Sequence, residues 1–161
     1  MGGTKYNFSA RLSKATKEGY ASKAANEIFT QNKLRMAHES MNPNGVTFRE
    51  ARDSEANPNS YPIILGLDVT GSMGHIPHEL IKEGLPKLMG GIIQGGVPDP
   101  ALLFLGIGDH ECDRYPLQVG QFESGDEELD MWLTRTYIES GGGGNAGESY
   151  LLAWYFAAFH T

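Results

Sequence analysis

YPIILGLDVTGSMG, residues 61–74, is the stretch on which the fold turns. Ile63, Ile64, Leu65, Gly66 and Leu67 form an apolar run with no polar alternation, which predicts a strand buried on both faces. The run breaks into a polar turn in which Asp68, Thr70 and Ser72 occupy every second position. Gly71 and Gly74 let the backbone curl, and a helical pattern begins just beyond. A strand that delivers oxygen groups to the carboxyl edge of a parallel sheet puts them where open α/β folds build their sites.

One carboxylate and two hydroxyls offer oxygen only. That set suits a hard divalent cation, Mg2+ first and Mn2+ or Ca2+ next, and suits zinc or copper poorly. A cation held by a single carboxylate and neutral oxygens keeps much of its charge, so an outside anion can complete its shell. The structural alternative is an Asx or Ser/Thr turn whose side chains cap nearby backbone donors.

A buried strand, then D-x-T-G-S-M-G, then a helix resembles the metal-ion-dependent adhesion site of von Willebrand factor type A domains, in the TGSM form common among bacterial and intracellular members. The likeness runs from about residue 61 to residue 161. It implies an α/β fold, a Rossmann-like open sheet flanked by helices, of which this chain would hold the N-terminal part. It makes Asp68, Thr70 and Ser72 the first ligand loop. The second ligand loop falls in SGGGGNAGES, residues 140–149, where the family's metal-binding Thr aligns with Gly144. Relatives reading GGGD followed by Glu are similar to GGGNAGE here, so Asn145 or Glu148 is expected to supply the missing oxygen. An acidic residue after the second strand, here Asp109, takes a supporting place near the ion. The family fold continues past the helix at which this sequence stops. The expectation is therefore a fragment, or a sheet completed by another subunit, with an exposed edge that invites association.

Residues 75–94 carry Ile76, Leu80, Ile81, Leu85, Leu88, Met89, Ile92 and Ile93 at helical steps, with Gly84 and Pro86 predicting a kink or two shorter helices. His75, His78 and Glu79 lack the i, i+4 spacing of a helical zinc pair and read as capping or surface groups. ALLFLGI, residues 101–107, predicts a second buried strand parallel to the first, because a helix separates the two. The adjacent His110, Glu111, Cys112 and Asp113 cannot converge on one tetrahedral ion. Residues 117–122 predict an antiparallel edge strand. Residues 124–138 predict a helix capped by Ser124 or Asp126, with acids in its positive first turn. Residues 150–159 predict a helix apolar almost all round, too short to span a bilayer.

Residues 1–60 form a helical and extended arm rather than a second core, since large apolar residues are few. Helix is expected within residues 9–40, broken at Gly19, and an extended wrap over residues 41–62. The arm holds nine Lys/Arg against six Asp/Glu, a net of +3; residues 61–161 hold four against fourteen, a net of −10. Acids interleave with the bases and no aromatic-basic module appears, so the arm does not read as a nucleic-acid binder. Arg49, Arg52, Asp53 and Glu55 read as a solvated, salt-linked face. A lone cysteine, Cys112, excludes an internal disulfide and fits a reducing compartment. With no secretory apolar segment at the start and no 18-residue apolar span, the expectation is a soluble, cytoplasmic protein that engages no membrane.

Two function classes follow. The resemblance implies an interaction module whose cation recruits a partner's carboxylate, the partner being an ATPase of the AAA class or another copy of the chain. The alternatives are a metal-dependent hydrolase or phosphotransferase, and an assembly component. An enzyme needs a general base or nucleophile near the ion; Asp68 lacks the second Asp of a D-x-D-x-T phosphatase loop and no Ser/His/Asp arrangement is legible. The expectation is a non-enzymatic module.

Overall fold

A computed structural model describes residues 5–139 and 148–161. The elements run α1 (Phe8–Glu18), α2 (Ala25–Ile28), α3 (Thr30–Leu34), a 3-10 turn at Glu39–Met41, β1 (Tyr61–Asp68), α4 (His75–Glu79), a π-helical turn at Leu80–Gly84, α5 (Leu85–Gln94), β2 (Pro100–Ile107), β3 (Leu117–Val119), α6 (Asp126–Thr134) and α7 (Tyr150–Phe159). The three strands make one mixed sheet in the order β1-β2-β3, with β1 parallel and β3 antiparallel to β2. Both pairings follow the expectation, and helices lie on both faces. Among the described residues no helix is long and apolar enough to cross a membrane.

One apolar cluster, on the face bearing Ile63, Leu65, Leu102 and Phe104, joins the sheet to the helices from α1 through α6. The other face, bearing Ile64, Leu103, Leu105 and Ile107, is covered by α7 through Ala153 and Phe156 and by Val46 and Ala51 of the extended arm. β2 is buried along its whole length. β1 is not: only Leu67 is buried, and Tyr61, Pro62 and Gly66 are exposed. The strand expected to be covered on both faces is therefore an edge strand, and its unalternating sequence describes a more enclosed position than the described residues provide. Its free edge is blunted at one end. Tyr61 and Val69 donate their N–H groups toward β2, so the alternate positions 62, 64, 66 and 68 turn their backbone outward, and the first of these is a proline with no N–H to leave unpaired.

The arm docks rather than standing free. α1 starts at Asn7, whose side chain accepts from Ala10 N–H, and ends at Gly19. Tyr6, Tyr20, Ile28, Phe29 and Met41 enter the same core as the sheet. Arg11, fully buried, lies 2.7 Å from Asp130 of α6, which also accepts from Tyr20. The second contact of Arg11 explains the π turn. Leu85 N–H bonds the Leu80 carbonyl, so the Ile81 carbonyl falls opposite Pro86, which has no proton to give, and Arg11 Nη2 donates to it instead. The kink foreseen at Gly84 and Pro86 is thus a widened turn within one continuous helical run.

Two expectations are corrected here. α6 ends at Thr134, and its cap position is Gly125, because the Ser124 hydroxyl is taken by Asn57 of the arm. Beyond it the buried Gln118 carboxamide accepts from Tyr137 N–H at 2.9 Å and donates to its carbonyl at 2.8 Å, fastening the irregular chain that follows the helix. Arg49, read as part of a solvated face, is half-buried: its Nε donates to the Gly120 carbonyl and its N–H to the His160 carbonyl, tying the arm to the end of α7.

Candidate metal centre

β1 delivers Asp68 to the carboxyl edge of the parallel pair, in register with Ile107 of β2. The next residues turn sharply because Asp68 Oδ1 accepts both the Thr70 N–H at 2.9 Å and the Thr70 hydroxyl at 2.6 Å. This is the Asx turn foreseen as the structural alternative, and it is compatible with a ligand role. A hydroxyl that gives its proton to a carboxylate keeps its oxygen lone pairs for a cation. Ser72 is exposed, and its carbonyl lies 3.3 Å from His75 Nδ1. Gly74 starts α4 against Ile138, where a Cβ would collide with the isoleucine side chain, so the ligand turn is pressed directly onto the chain that follows α6.

The second Asp68 oxygen is held from α7. Tyr150 donates its hydroxyl to Asp68 Oδ2 at 3.0 Å, and burial beside that carboxylate pushes the phenol above its usual range. Residues 148–150 reach the edge because Ser149 N–H donates to the Gly108 carbonyl at 2.8 Å. Gly108 is a close approach of its own: a Cβ there would stand 2.7 Å from the Tyr115 carbonyl. Ser149 is buried, 7% exposed, and its hydroxyl has no partner among the described residues.

Asp109 follows β2 and is buried, but its Oδ1 accepts from Glu111 N–H while its own N–H donates to Asp113, so it is bound into its own loop beside the site. Glu139 lies close by. Its N–H donates to the Val69 carbonyl, its carboxylate accepts from Tyr115 N–H, and burial together with Asp113 raises its pKa. Glu148 is half-buried and its carbonyl accepts from Tyr150 N–H. Asn145 and Gly144 lie outside the described residues.

The structure thus brings Asp68 and Thr70 into contact, leaves Ser72 open to solvent two positions on, and adds Ser149 and Tyr150. Sequence reading missed these last two because both open a helix whose other residues are apolar. Among the described residues no three His, Cys, Asp or Glu side chains converge as a metal group, so the candidate centre has one carboxylate with hydroxyl oxygens around it. An oxygen-only donor set of this kind is chemically compatible with a hard cation. A cavity of about 720 Å³ lies elsewhere, between residues 36–46 and the far end of α7. No family model, curated protein or solved structure matches the chain.

Proposed function

We propose that this chain is a cation-dependent protein-interaction module of the von Willebrand factor type A kind, holding Mg2+ on Asp68, Thr70 and Ser72 and recruiting a partner through a carboxylate. The observation that carries the reading is the 2.6 Å bond from the Thr70 hydroxyl to Asp68 Oδ1 at the open edge of the sheet. It commits the hydroxyl proton to the carboxylate and leaves the oxygen lone pairs available. Glu148 and Asn145 belong to the same reading as further oxygen donors from the second loop, and Asp109 as a supporting acid. Mn2+ or Ca2+ would occupy the same oxygens with looser geometry.

The ground beside the site also favours binding over catalysis. Starting one residue beyond Tyr150, Leu151, Trp154, Tyr155 and Phe159 are exposed on one side of α7 by 85%, 73%, 56% and 67%, an apolar stripe larger than scattered surface residues make. Residues 149–161 contain no Asp, Glu, Lys or Arg. A partner that brought a carboxylate to the cation would lie along this stripe, whether it is an AAA-class ATPase or a second copy of the chain.

The test uses Mn2+ and a dicarboxylate probe. Water-proton relaxation is measured for the protein with Mn2+, before and after adding glutarate. The reading predicts enhanced relaxation that falls as the carboxylate displaces bound water and that is absent in Asp68→Ala. Enhancement unaffected by glutarate, with Mn2+-dependent turnover of phosphoesters lost in Asp68→Ala, would favour a hydrolase instead.

A further inference from the structure

The cleft between residues 36–46, the residues leading into β3 and the far end of α7 encloses about 720 Å³, a volume that takes small organic molecules. Most of its lining is apolar, with Met36, Met41, Leu117, Leu152 and Phe156 contributing, and methionine thioethers adapt to the shape of a guest. Aromatic rings meet at the α7 side. Phe156 stacks on His160 at 5.2 Å with 20° between the planes, and Tyr155 lies 6.0 Å from the same imidazole. All three residues line the cleft, so flat surfaces there suit a planar body.

The charge of the cleft runs against that of the chain around it. Residues 61–161 carry four Lys/Arg against fourteen Asp/Glu, yet none of those fourteen acids is among the lining residues, and Arg114 is. Glu39 of the arm, exposed, is the one acid among the described residues that line it. The Arg114 guanidinium sits over Tyr115, 5.6 Å from the ring centroid, and donates through Nη1 to the Arg35 carbonyl at 3.3 Å. Among the described residues no carboxylate pairs with it. His38 adds a donor to the lining. Its Nδ1 accepts from Ser40 N–H at 3.2 Å, and burial, followed by the Arg135 charge, lowers its pKa, so the neutral ring carries its proton on Nε2.

We propose that this cleft binds a small aromatic carboxylate, a planar apolar body carrying one negative charge, with Arg114 selecting for the charge. A guanidinium meets a carboxylate through paired N–H donors, and stacking on a ring holds it ready to do so. Residues 36–46 come from the arm and Leu152, Tyr155 and Phe156 from α7, so the ligand ties the two together. It binds the folded chain alone and raises the unfolding midpoint as its concentration rises. Asp68, Thr70 and Ser72 are not among the lining residues, so the assignment stands apart from the cation site.

The probes are 2-naphthoate and its uncharged analogue 2-naphthamide, titrated in EDTA into the full chain by two-dimensional NMR, with urea midpoints measured alongside. The proteins are the wild type, Arg114→Gln, Leu152→Trp and Trp154→Ser. One site for 2-naphthoate is expected in the wild type, with a dissociation constant on the order of 1 mM, the usual strength for a ligand of that size. The amide should bind about fivefold more weakly, the scale of a partly exposed charge pair, and Arg114→Gln should bring the carboxylate down to the level of the amide. Leu152→Trp fills the cleft and should abolish binding of both probes; Met36→Trp, at another exposed lining position, replaces it if that variant does not fold. Trp154→Ser lies on α7 outside the cleft and should change neither affinity. No saturable binding to the wild type, equal affinity for the two probes, or a preference that survives Arg114→Gln overturns the assignment. So does binding that persists in the filled variant or is lost in Trp154→Ser, and each of these results leaves the cation site untouched.

Discussion

Asp130→Ala is expected to unseat the arm from the sheet-bearing part, at a cost that follows from its surroundings. The carboxylate is 3% exposed and is approached by Arg11 at 2.7 Å, Lys14 at 3.2 Å and the Tyr20 hydroxyl at 3.0 Å. Arg11 and Asp130 are close but not aligned as a hydrogen bond, so Coulomb attraction in a water-poor setting carries the contact. Lys14, partly exposed, can turn to water when the acid goes, whereas Arg11, fully buried over the Tyr20 ring, cannot. Removing one member of a buried pair costs about 3–5 kcal/mol because the other charge is left uncompensated. With a urea slope of about 2 kcal/mol per molar, the midpoint falls by roughly 2 M. Equilibrium urea unfolding followed by tryptophan fluorescence reads this directly, since Trp132 lies on the same helix. Arg11→Met with Asp130→Leu removes both charges and should recover at least half of the loss, though not all of it, because the Ile81 carbonyl loses its donor. A midpoint change under about 0.5 M in the single variant, or a double variant no better than the single, would refute the reasoning.

Gln118→Leu removes both bonds that Gln118 makes to the buried Tyr137 backbone; a loss of about 2–4 kcal/mol in the same unfolding assay is expected. Glu139 has a raised pKa in the folded chain, so just above the ordinary carboxylate range the folded state binds more protons than the unfolded state, and lowering the pH through that window adds stability. Glu139→Gln should flatten that part of the stability-against-pH profile while keeping the bond from Tyr115, and an unchanged slope would contradict the cause assigned. Leu151→Ser with Trp154→Ser changes exposed positions only; unfolding free energy should stay within about 0.5 kcal/mol, while binding of an apolar dye and light scattering at high concentration both fall.

The parallel pairing of β1 and β2 was legible because two apolar runs flank a helical stretch, and a crossover helix leaves few other arrangements. Which of them is central was not, since ILGL and LLFLGI read alike and enclosure is decided by neighbours far along the chain. Helix α6 was drawn too long because Thr136 and Tyr137 continue the buried stripe. Their burial is real, but the helix has ended before them and Gln118 bonds the Tyr137 backbone, a contact 19 residues distant in sequence. The docking of α1 rested on Arg11, which looks like a solvent-facing base until Asp130 and the carbonyl opposite Pro86 are seen beside it. At the site, Asp68 and Thr70 were readable because adjacent spacing fixes them in one turn. Ser149 and Tyr150 were not, because only the folded chain carries the start of α7 across the sheet edge to Asp68.

Calorimetric titration of Mg2+ and Mn2+ into the wild type, Asp68→Ala and Ser72→Ala tests the cation site most directly. One binding site in the wild type, abolished in Asp68→Ala and weakened in Ser72→Ala with unfolding midpoints in the absence of metal retained, is the predicted result. No heat of binding in the wild type, or the same isotherm in all three proteins, would contradict it and leave the turn after β1 as a structural Asx turn alone.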